Sequence, residues 1–158
     1  MIAKALVVGS LLGALLQPAP NPIAWSFKPP PQKPLGRGET VALRLVADIQ
    51  PGWHLYSIDQ QEGGPIATEI SMPPGQPFAF AGAIVGPKPH VIFDQTFGMR
   101  VQLYTEKAEF TLPIKIAANA PAGTRTLGVE ARYQTCNDTI CLPPRTTKVT
   151  VPIQVRER

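Results

Sequence analysis

The chain's only two cysteines, Cys136 and Cys141, are the residues whose type and spacing could do chemistry. Four residues separate them, and the segments on either side have the alternation typical of β-strands. Two neighbouring thiols can exchange with a partner's disulfide, because one sulfur forms the mixed disulfide and the other resolves it. The short spacing makes the resolving step intramolecular and therefore fast. The pair is a candidate redox couple.

A structural disulfide is the alternative hypothesis. In the chain-entropy model, closing a loop of about six residues stabilises a fold by roughly 2 kcal/mol, compared with roughly 4.7 kcal/mol for a loop near 100 residues. The pair would therefore be a weak staple, which favours a redox role but leaves open a binding module with a disulfide clip. Asp138 would raise the thiol pKa, whereas Arg132, Arg145 and Lys148 would lower it, so the net direction stays open.

Other chemistries have less support in the sequence. The chain has no C-x-x-C motif followed by a helix, which excludes a thioredoxin-type site. His54 and His90 could join the cysteines at a zinc ion, but neither has a zinc-motif spacing, and a copper site with Met72 and Met99 is no better supported. We predict no metal and no cofactor. Because the 15 basic residues are scattered, we also expect no nucleic-acid partner, and no small-molecule ligand.

Short alternating segments dominate the chain, and 19 prolines argue against long helices. No window of helical length repeats at the helical period without a proline or glycine. About eight or nine strands separated by turn signals predict an all-β fold, an antiparallel immunoglobulin-like β-sandwich. The predicted strands cover residues 39–49, 53–57, 66–72, 78–85, 90–93, 99–104, 110–116, 127–133 and 147–155.

The N-terminus has the pattern of an export signal. Lys4 precedes an apolar run over residues 5–16, which is too short for a comfortable membrane span. We predict a signal peptide over residues 1–24 without a clear cleavage site, and an uncleaved membrane anchor is the alternative. A proline-rich extended lead-in follows over residues 25–38, in which Trp25 and Phe27 alternate like a short edge strand, and the folded domain covers residues 39–158. Export implies a compartment where disulfides can form.

Several motifs resemble the N-terminal periplasmic domain of the thiol:disulfide interchange protein DsbD. The resemblance covers roughly residues 39–155 and is most specific in the cysteine loop. It is carried by Tyr133-Gln134-x-Cys136 with Cys141-x-Pro143-Pro144, by residues 52–57, 63–65 and 68–70, and by Phe93-Asp94-x-x-Phe97-Gly98.

The resemblance implies an immunoglobulin-like fold and assigns roles to particular residues. Cys136 and Cys141 would be the redox couple, with Cys141 as the exposed attacking sulfur. A cap that shields the pair until a partner docks would be formed by Asp94, Gln95, Thr96 and Phe97. His54 and Tyr56 would lie under the cysteine loop, at positions that the family often fills with tyrosine.

Each of these cap and loop residues also has an ordinary structural interpretation. Tyr56, like Trp53, is of a type that is more often a core aromatic than a site residue, and His54 could be a surface residue. Phe97 could anchor a loop, and Asp94 could form a turn, which is its usual role before such loops.

The resemblance also implies partners and a location. The family's cysteine pair receives electrons from a membrane-embedded partner through a thioredoxin-like domain and passes them to periplasmic disulfide isomerases and cytochrome c maturation thioredoxins. We therefore expect a periplasmic protein with thioredoxin-fold donors and acceptors. The best-known members have five residues between the cysteines, where this chain has four. The sequence holds no transporter segment after the domain, so we expect the membrane thiol transporter to be a separate protein.

Overall fold

Alternating apolar residues produce a fold made of strands over residues 21–157, the part of the chain that the computed structural model describes. The predicted signal segment lies outside the described residues up to residue 20. No helix of the described part is long and apolar enough to cross a membrane. The strands are β1 (Ile23–Phe27), β2 (Thr40–Ile49), β3 (Trp53–Tyr56), β4 (Glu69–Ser71), β5 (Phe78–Phe80), β6 (His90–Asp94), β7 (Met99–Tyr104), β8 (Lys107–Ile116), β9 (Gly123–Tyr133), β10 (Thr135–Asn137) and β11 (Arg145–Val155).

The strands pair antiparallel in three sheets, in the orders β1-β2-β8-β5, β10-β3-β7-β6 and β11-β9-β4. The longest pairing runs between β9 and β11, from Tyr133 opposite Arg145 to Gly123 opposite Val155. Pro152 lies in β11, which pairs with β9 on one side and forms an edge of its sheet, where a missing N–H is tolerated. The prediction of an all-β, immunoglobulin-like antiparallel sandwich is confirmed.

The main core is built from the inward faces of the long strands. Alternate residues of β2 and β8 are almost completely buried, as their period of two predicts. Leu55 of β3 and Tyr104 of β7 point into the same core. The other buried residues of this core come largely from β9 and β11: Leu127, Val129, Ala131, Tyr133, Val149, Val151, Ile153 and Val155.

A second, smaller core lies on the opposite face of the sheet β10-β3-β7-β6. Its buried members are Tyr56, Val101, Leu103 and Cys136. Successive side chains of a strand point to opposite faces, so Leu55 lies in the main core and its neighbour Tyr56 lies in the second core. This arrangement places the cysteine loop on a sheet face that the sandwich does not use.

The structure differs most from the predicted strands in three places, and β8, β9 and β11 also begin earlier than predicted. The segment predicted over residues 66–72 is reduced to β4, because the Ile66 N–H is bonded to the Gln134 side chain rather than to a strand. The run over residues 78–85 ends at Phe80, since Gly82 interrupts the pairing and only Val85 rejoins β8 as an isolated bridge. The short strand β10, which carries Cys136, was not predicted.

Candidate functional site

The cysteine loop is a tight hairpin closed by one side chain. The Oδ1 atom of Asn137 accepts hydrogen bonds from the N–H groups of Thr139 and Ile140, both at 2.8 Å. The turn brings Cys136 opposite Cys141 as an antiparallel bridge with 4.0 Å between their Cα atoms, and their sulfurs are bonded. Asn137 was not singled out in the sequence, although Asn at the start of such a turn is a recognisable signal.

The two sulfurs of this disulfide differ in access. Cys136 is 1% exposed and belongs to the second core, whereas Cys141 is only partly buried and packs against that core from outside. β10 pairs with β3, which fixes Cys136 directly opposite His54. A partner approaching from solvent therefore meets Cys141 first.

The end of β6 and the loop between β6 and β7 contain the four residues of the predicted cap. Asp94 ends β6, and its Oδ1 accepts hydrogen bonds from the N–H groups of Thr96 at 2.8 Å and Phe97 at 3.4 Å. Gly98 closes the loop with a hydrogen bond to the Asp94 carbonyl and a φ of 64°, a conformation that glycine adopts without strain. The Asp94 carboxylate thus holds the cap in shape.

Phe97 anchors this loop on the second core. Its ring packs edge-on against Tyr56, with 6.0 Å between the ring centroids. Gln95 and Thr96 are exposed at the top of the cap. Because Phe97 is partly buried against the second core, the loop is anchored to the same core that contains Cys136.

A buried polar contact links the cap to Cys136. The Tyr56 hydroxyl lies 2.8 Å from Asp94 Oδ2 and 3.4 Å from Cys136 Sγ. A hydroxyl has one hydrogen, and the shorter, charge-assisted bond to the carboxylate takes it. The Tyr56 hydroxyl therefore keeps its hydrogen on Asp94, and its oxygen lies against Cys136 Sγ.

The same contacts set the charge of the site. Burial works to raise the pKa of Asp94, but hydrogen bonds from Tyr56, Thr96 and Phe97 outweigh it and hold the pKa below its usual value. Burial, together with the hydrogen bond to the Asp94 carboxylate, raises the pKa of Tyr56. At neutral pH the site therefore holds one buried carboxylate and one neutral phenol.

His54 lies on the same face as Tyr56, two residues away on β3. Its ring packs edge-on against Tyr56 with 5.1 Å between centroids, and its Nε2 atom is buried. Burial lowers the pKa of His54, and the nearby carboxylates of Asp94 and Asp138 offset this only in part. The imidazole is therefore neutral at neutral pH.

The predicted site residues converge in one place. Six of them line a cleft of about 280 Å³: His54, Tyr56, Asp94, Gln95, Thr96 and Cys136. The remaining two, Phe97 and Cys141, pack against the second core beside it. Within the described residues, no three His, Cys, Asp or Glu side chains are grouped as metal ligands would be.

Exposed apolar residues beside the site were not singled out in the sequence. On β6, Val91, Ile92 and Phe93 are 56%, 42% and 57% exposed, and Ile140 at the tip of the cysteine loop is 48% exposed. The three β6 residues form a continuous apolar run in the sequence, at positions 91–93. An apolar run of this length is equally typical of a buried strand, so the sequence alone does not predict that it is exposed. β6 is an edge strand of its sheet.

The fold and the site define a class: an immunoglobulin-like β-sandwich with a capped disulfide on an outer face. The sequence profile described as "Thiol:disulfide interchange protein DsbD, N-terminal" matches residues 26–153, which is most of the chain. The chain therefore belongs to the family of DsbD N-terminal domains. No curated protein sequence matches it.

Two solved structures are similar to the chain. The N-terminal domain of DsbD from Neisseria meningitidis, in its reduced form, is 19% identical with a TM-score of 0.50, and the match covers 72% of this chain and 78% of that chain. The N-terminal periplasmic domain of ScsB from Proteus mirabilis is 20% identical with a TM-score of 0.45, covering 76% of this chain and 43% of that chain. The first likeness supports the fold.

Proposed function

We propose that the chain is a thiol:disulfide interchange domain whose Cys136–Cys141 couple relays electrons between thioredoxin-fold proteins. One observation carries the proposal: in the Cys136–Cys141 disulfide one residue is buried and the other only partly buried, next to the loop that Phe97 anchors on Tyr56. A clip that only staples a loop has no need of a cap or of a buried carboxylate. The same site would take electrons from a donor and pass them to an acceptor.

The exchange proceeds through a mixed disulfide at Cys141. A donor thiolate attacks Cys141 Sγ, the bond to Cys136 breaks, and Cys136 leaves with the electron pair and takes up a proton. The donor's second thiolate then attacks the donor sulfur, and Cys141 is released as a thiolate. Two electrons have passed to the domain, and the donor has become a disulfide. Reduction of an acceptor runs the same steps in reverse.

The buried carboxylate keeps Cys136 protonated in the reduced domain. Negative charge on Asp94 and burial both disfavour a thiolate at Cys136, so its pKa would be raised. Cys141, with solvent access, carries the first nucleophilic attack. A reduced domain built in this way would resist wasteful oxidation until a partner docks at Cys141 and moves the cap.

The exposed apolar residues support a docking surface around the disulfide. Single apolar side chains on a surface are common, but Val91, Ile92 and Phe93 form a continuous run beside the cap. A groove of about 840 Å³ continues from the cleft across Ile92 and Leu103. The exposed apolar side chains fit a surface on which a protein partner packs.

The cellular setting of the proposal follows from the relatives. The ScsB domain is described as periplasmic, and an exported chain would meet the same redox conditions. Electrons would come from a membrane thiol transporter through a thioredoxin-like protein. The acceptors would be periplasmic thioredoxin-fold proteins, including those of cytochrome c maturation.

A trapping experiment tests the proposal and the role of each sulfur. Oxidised protein mixed with a reduced thioredoxin-fold donor should become reduced, as mass spectrometry of alkylated cysteines would show. Cys136→Ala should trap a mixed disulfide through Cys141, while Cys141→Ala should trap little, because Cys136 is buried. Trapping by Cys141→Ala alone would reverse the assignment of the attacking sulfur.

The structural clip is the competing function and has its own outcome. If the disulfide stays oxidised with every thioredoxin-fold donor tested, and a double Cys→Ser variant still binds its partner, the pair is a clip. The variant would then differ from wild type only in stability, by about 2 kcal/mol for a loop of this size.

A further inference from the structure

His54 borders the buried sulfur of the disulfide. It lies directly opposite Cys136 in the pairing of β3 with β10, and such pairs project from one face with their Cβ atoms about 5 Å apart. Its ring packs against Tyr56, whose oxygen is 3.4 Å from Cys136 Sγ. The imidazole, the phenol and the sulfur therefore form one cluster inside the second core.

The Nε2 atom of His54 is buried, and it has no hydrogen-bond partner within residues 21–157. A buried polar atom without a partner costs about 1–3 kcal/mol, so its presence calls for an explanation. In the oxidised protein the facing sulfur carries no hydrogen. In the reduced protein the Cys136 thiol does carry one, and it can donate that hydrogen to Nε2.

The resolving step of the exchange needs a base at this point. Cys136 must lose its proton before it can attack the mixed disulfide, yet the residue is only 1% exposed, so a base beside the sulfur would take the proton more readily than bulk water. Tyr56 cannot serve, because its hydrogen is held by Asp94 and burial raises its pKa. Asp94 is a weak base, since three hydrogen bonds hold its pKa below the usual value.

The geometry points to His54 as the proton acceptor of Cys136 in the resolving step, an inference that rests on the proposed redox function. While Cys141 is bonded to an acceptor's sulfur, the Cys136 thiol gives its proton to His54 Nε2 and its sulfur attacks Cys141 Sγ. The Cys136–Cys141 bond forms, and the bond to the acceptor breaks. The acceptor's sulfur leaves as a thiolate with the electron pair, and the imidazolium then releases its proton to solvent.

The charges around His54 are compatible with this role. Asp94 faces it from β6 and Asp138 from the cysteine loop, and both would stabilise the imidazolium once it forms. His90 and Glu106 line the adjoining groove, and Tyr56 stays neutral beside the ring. In the resting protein, burial outweighs these carboxylates and leaves the imidazole neutral and ready to accept.

A two-phase colour assay tests the inference. Reduced protein is mixed with equimolar dithionitrobenzoate, a disulfide that releases one coloured thiolate when Cys141 attacks and a second when Cys136 resolves. At neutral pH, His54→Gln should slow the second release by roughly 100-fold, a typical contribution of general base catalysis. Lys115→Gln is the control, because Lys115 is exposed on β8 in a different sheet, and it should leave both phases unchanged.

The pH profile separates proton transfer from a merely structural role. In wild type the second phase should rise as His54 loses its proton, level off, and rise again only when the thiol itself ionises. His54→Gln should lack the plateau and rise steadily with pH. The wild-type profile tests the inference even if the variant folds poorly.

Two outcomes would overturn the assignment of His54, and they differ in what else they affect. An unchanged second phase in a folded His54→Gln variant, or a wild-type profile without a plateau, removes His54 from the step but leaves the redox couple intact. A wild-type protein that releases only the first thiolate overturns both this inference and the proposed function.

Discussion

At the scale of single residues, Asp94 connects features that lie far apart in the sequence. One carboxylate oxygen shapes the cap through Thr96 and Phe97, and the other accepts the Tyr56 hydroxyl beside Cys136. The residue is 8% exposed and yet charged at neutral pH. In the reduced protein its negative charge would lie near the buried Cys136 sulfur.

We predict that Asp94→Asn lowers the thiol pKa of Cys136 in the reduced protein by about one unit, the lower end of the range for a nearby charge. Two causes act together, because a like charge is lost and the Tyr56 hydroxyl is freed to donate to a thiolate. The pKa can be followed through the ¹³Cβ chemical shift of Cys136 in a Cys141→Ala background. Asp138→Asn is the control, since Asp138 is exposed and its charge is screened by solvent. An unchanged or raised pKa would contradict this account of Asp94.

At the scale of elements, the cap and the cysteine hairpin form one unit around the second core. Phe97 is the residue that joins them, through its edge-on contact with Tyr56. Phe93 lies four residues earlier and is 57% exposed, so it makes no comparable contribution to burial. The two phenylalanines therefore provide a matched pair for testing the cap.

We expect Phe97→Ala to speed reduction of the disulfide by dithiothreitol about tenfold, because loss of the ring removes roughly 1.5 kcal/mol or more of packing that holds the cap closed. Phe93→Ala should leave the rate unchanged. Stopped-flow measurement of the rate of disulfide reduction checks the prediction. The two variants are compared at temperatures where both are fully folded. Equal rates for both variants would show that the cap does not limit access.

The sequence predicted the strands better than it predicted how they meet. Alternation in β2 and β8 is a local pattern, and the buried faces followed from it. β10 has three residues, which is too short for a periodic signal. The contact of Tyr56 with Asp94 joins β3 to β6 across β7, and no local pattern specifies which strands become neighbours. The family motif, rather than periodicity, brought these residues together in the prediction.

At the scale of the whole molecule, the N-terminal strand belongs to the fold. Ile23 is 1% exposed and pairs with Ile49, and the Pro22 carbonyl accepts the N–H of Gln50. The predicted boundary after residue 24 would cut through β1. Signal cleavage upstream of Asn21 would leave the strand whole.

We predict that a chain starting at Trp25 is less stable than one starting at Asn21 by about 2 kcal/mol, the value of burying one large aliphatic side chain. Urea unfolding followed by tryptophan fluorescence measures the difference. Ile23→Ala in the longer chain should reproduce most of the loss, whereas Ala24→Ser, at an exposed position, should not. Equal stability of the two chains would show that β1 is dispensable, and a signal boundary after residue 24 would then be acceptable.

The separation of the two cores has a consequence for how such a domain can change over evolution. The residues that govern access, charge and docking lie in the second core and on its rim, whereas most of the buried area lies in the main core. A substitution in the cap or hairpin can therefore alter which partner is accepted while costing the sandwich little. Selection on partner choice and selection on foldability act on largely different residues. A lineage could thus acquire a new redox partner without first acquiring a more stable scaffold.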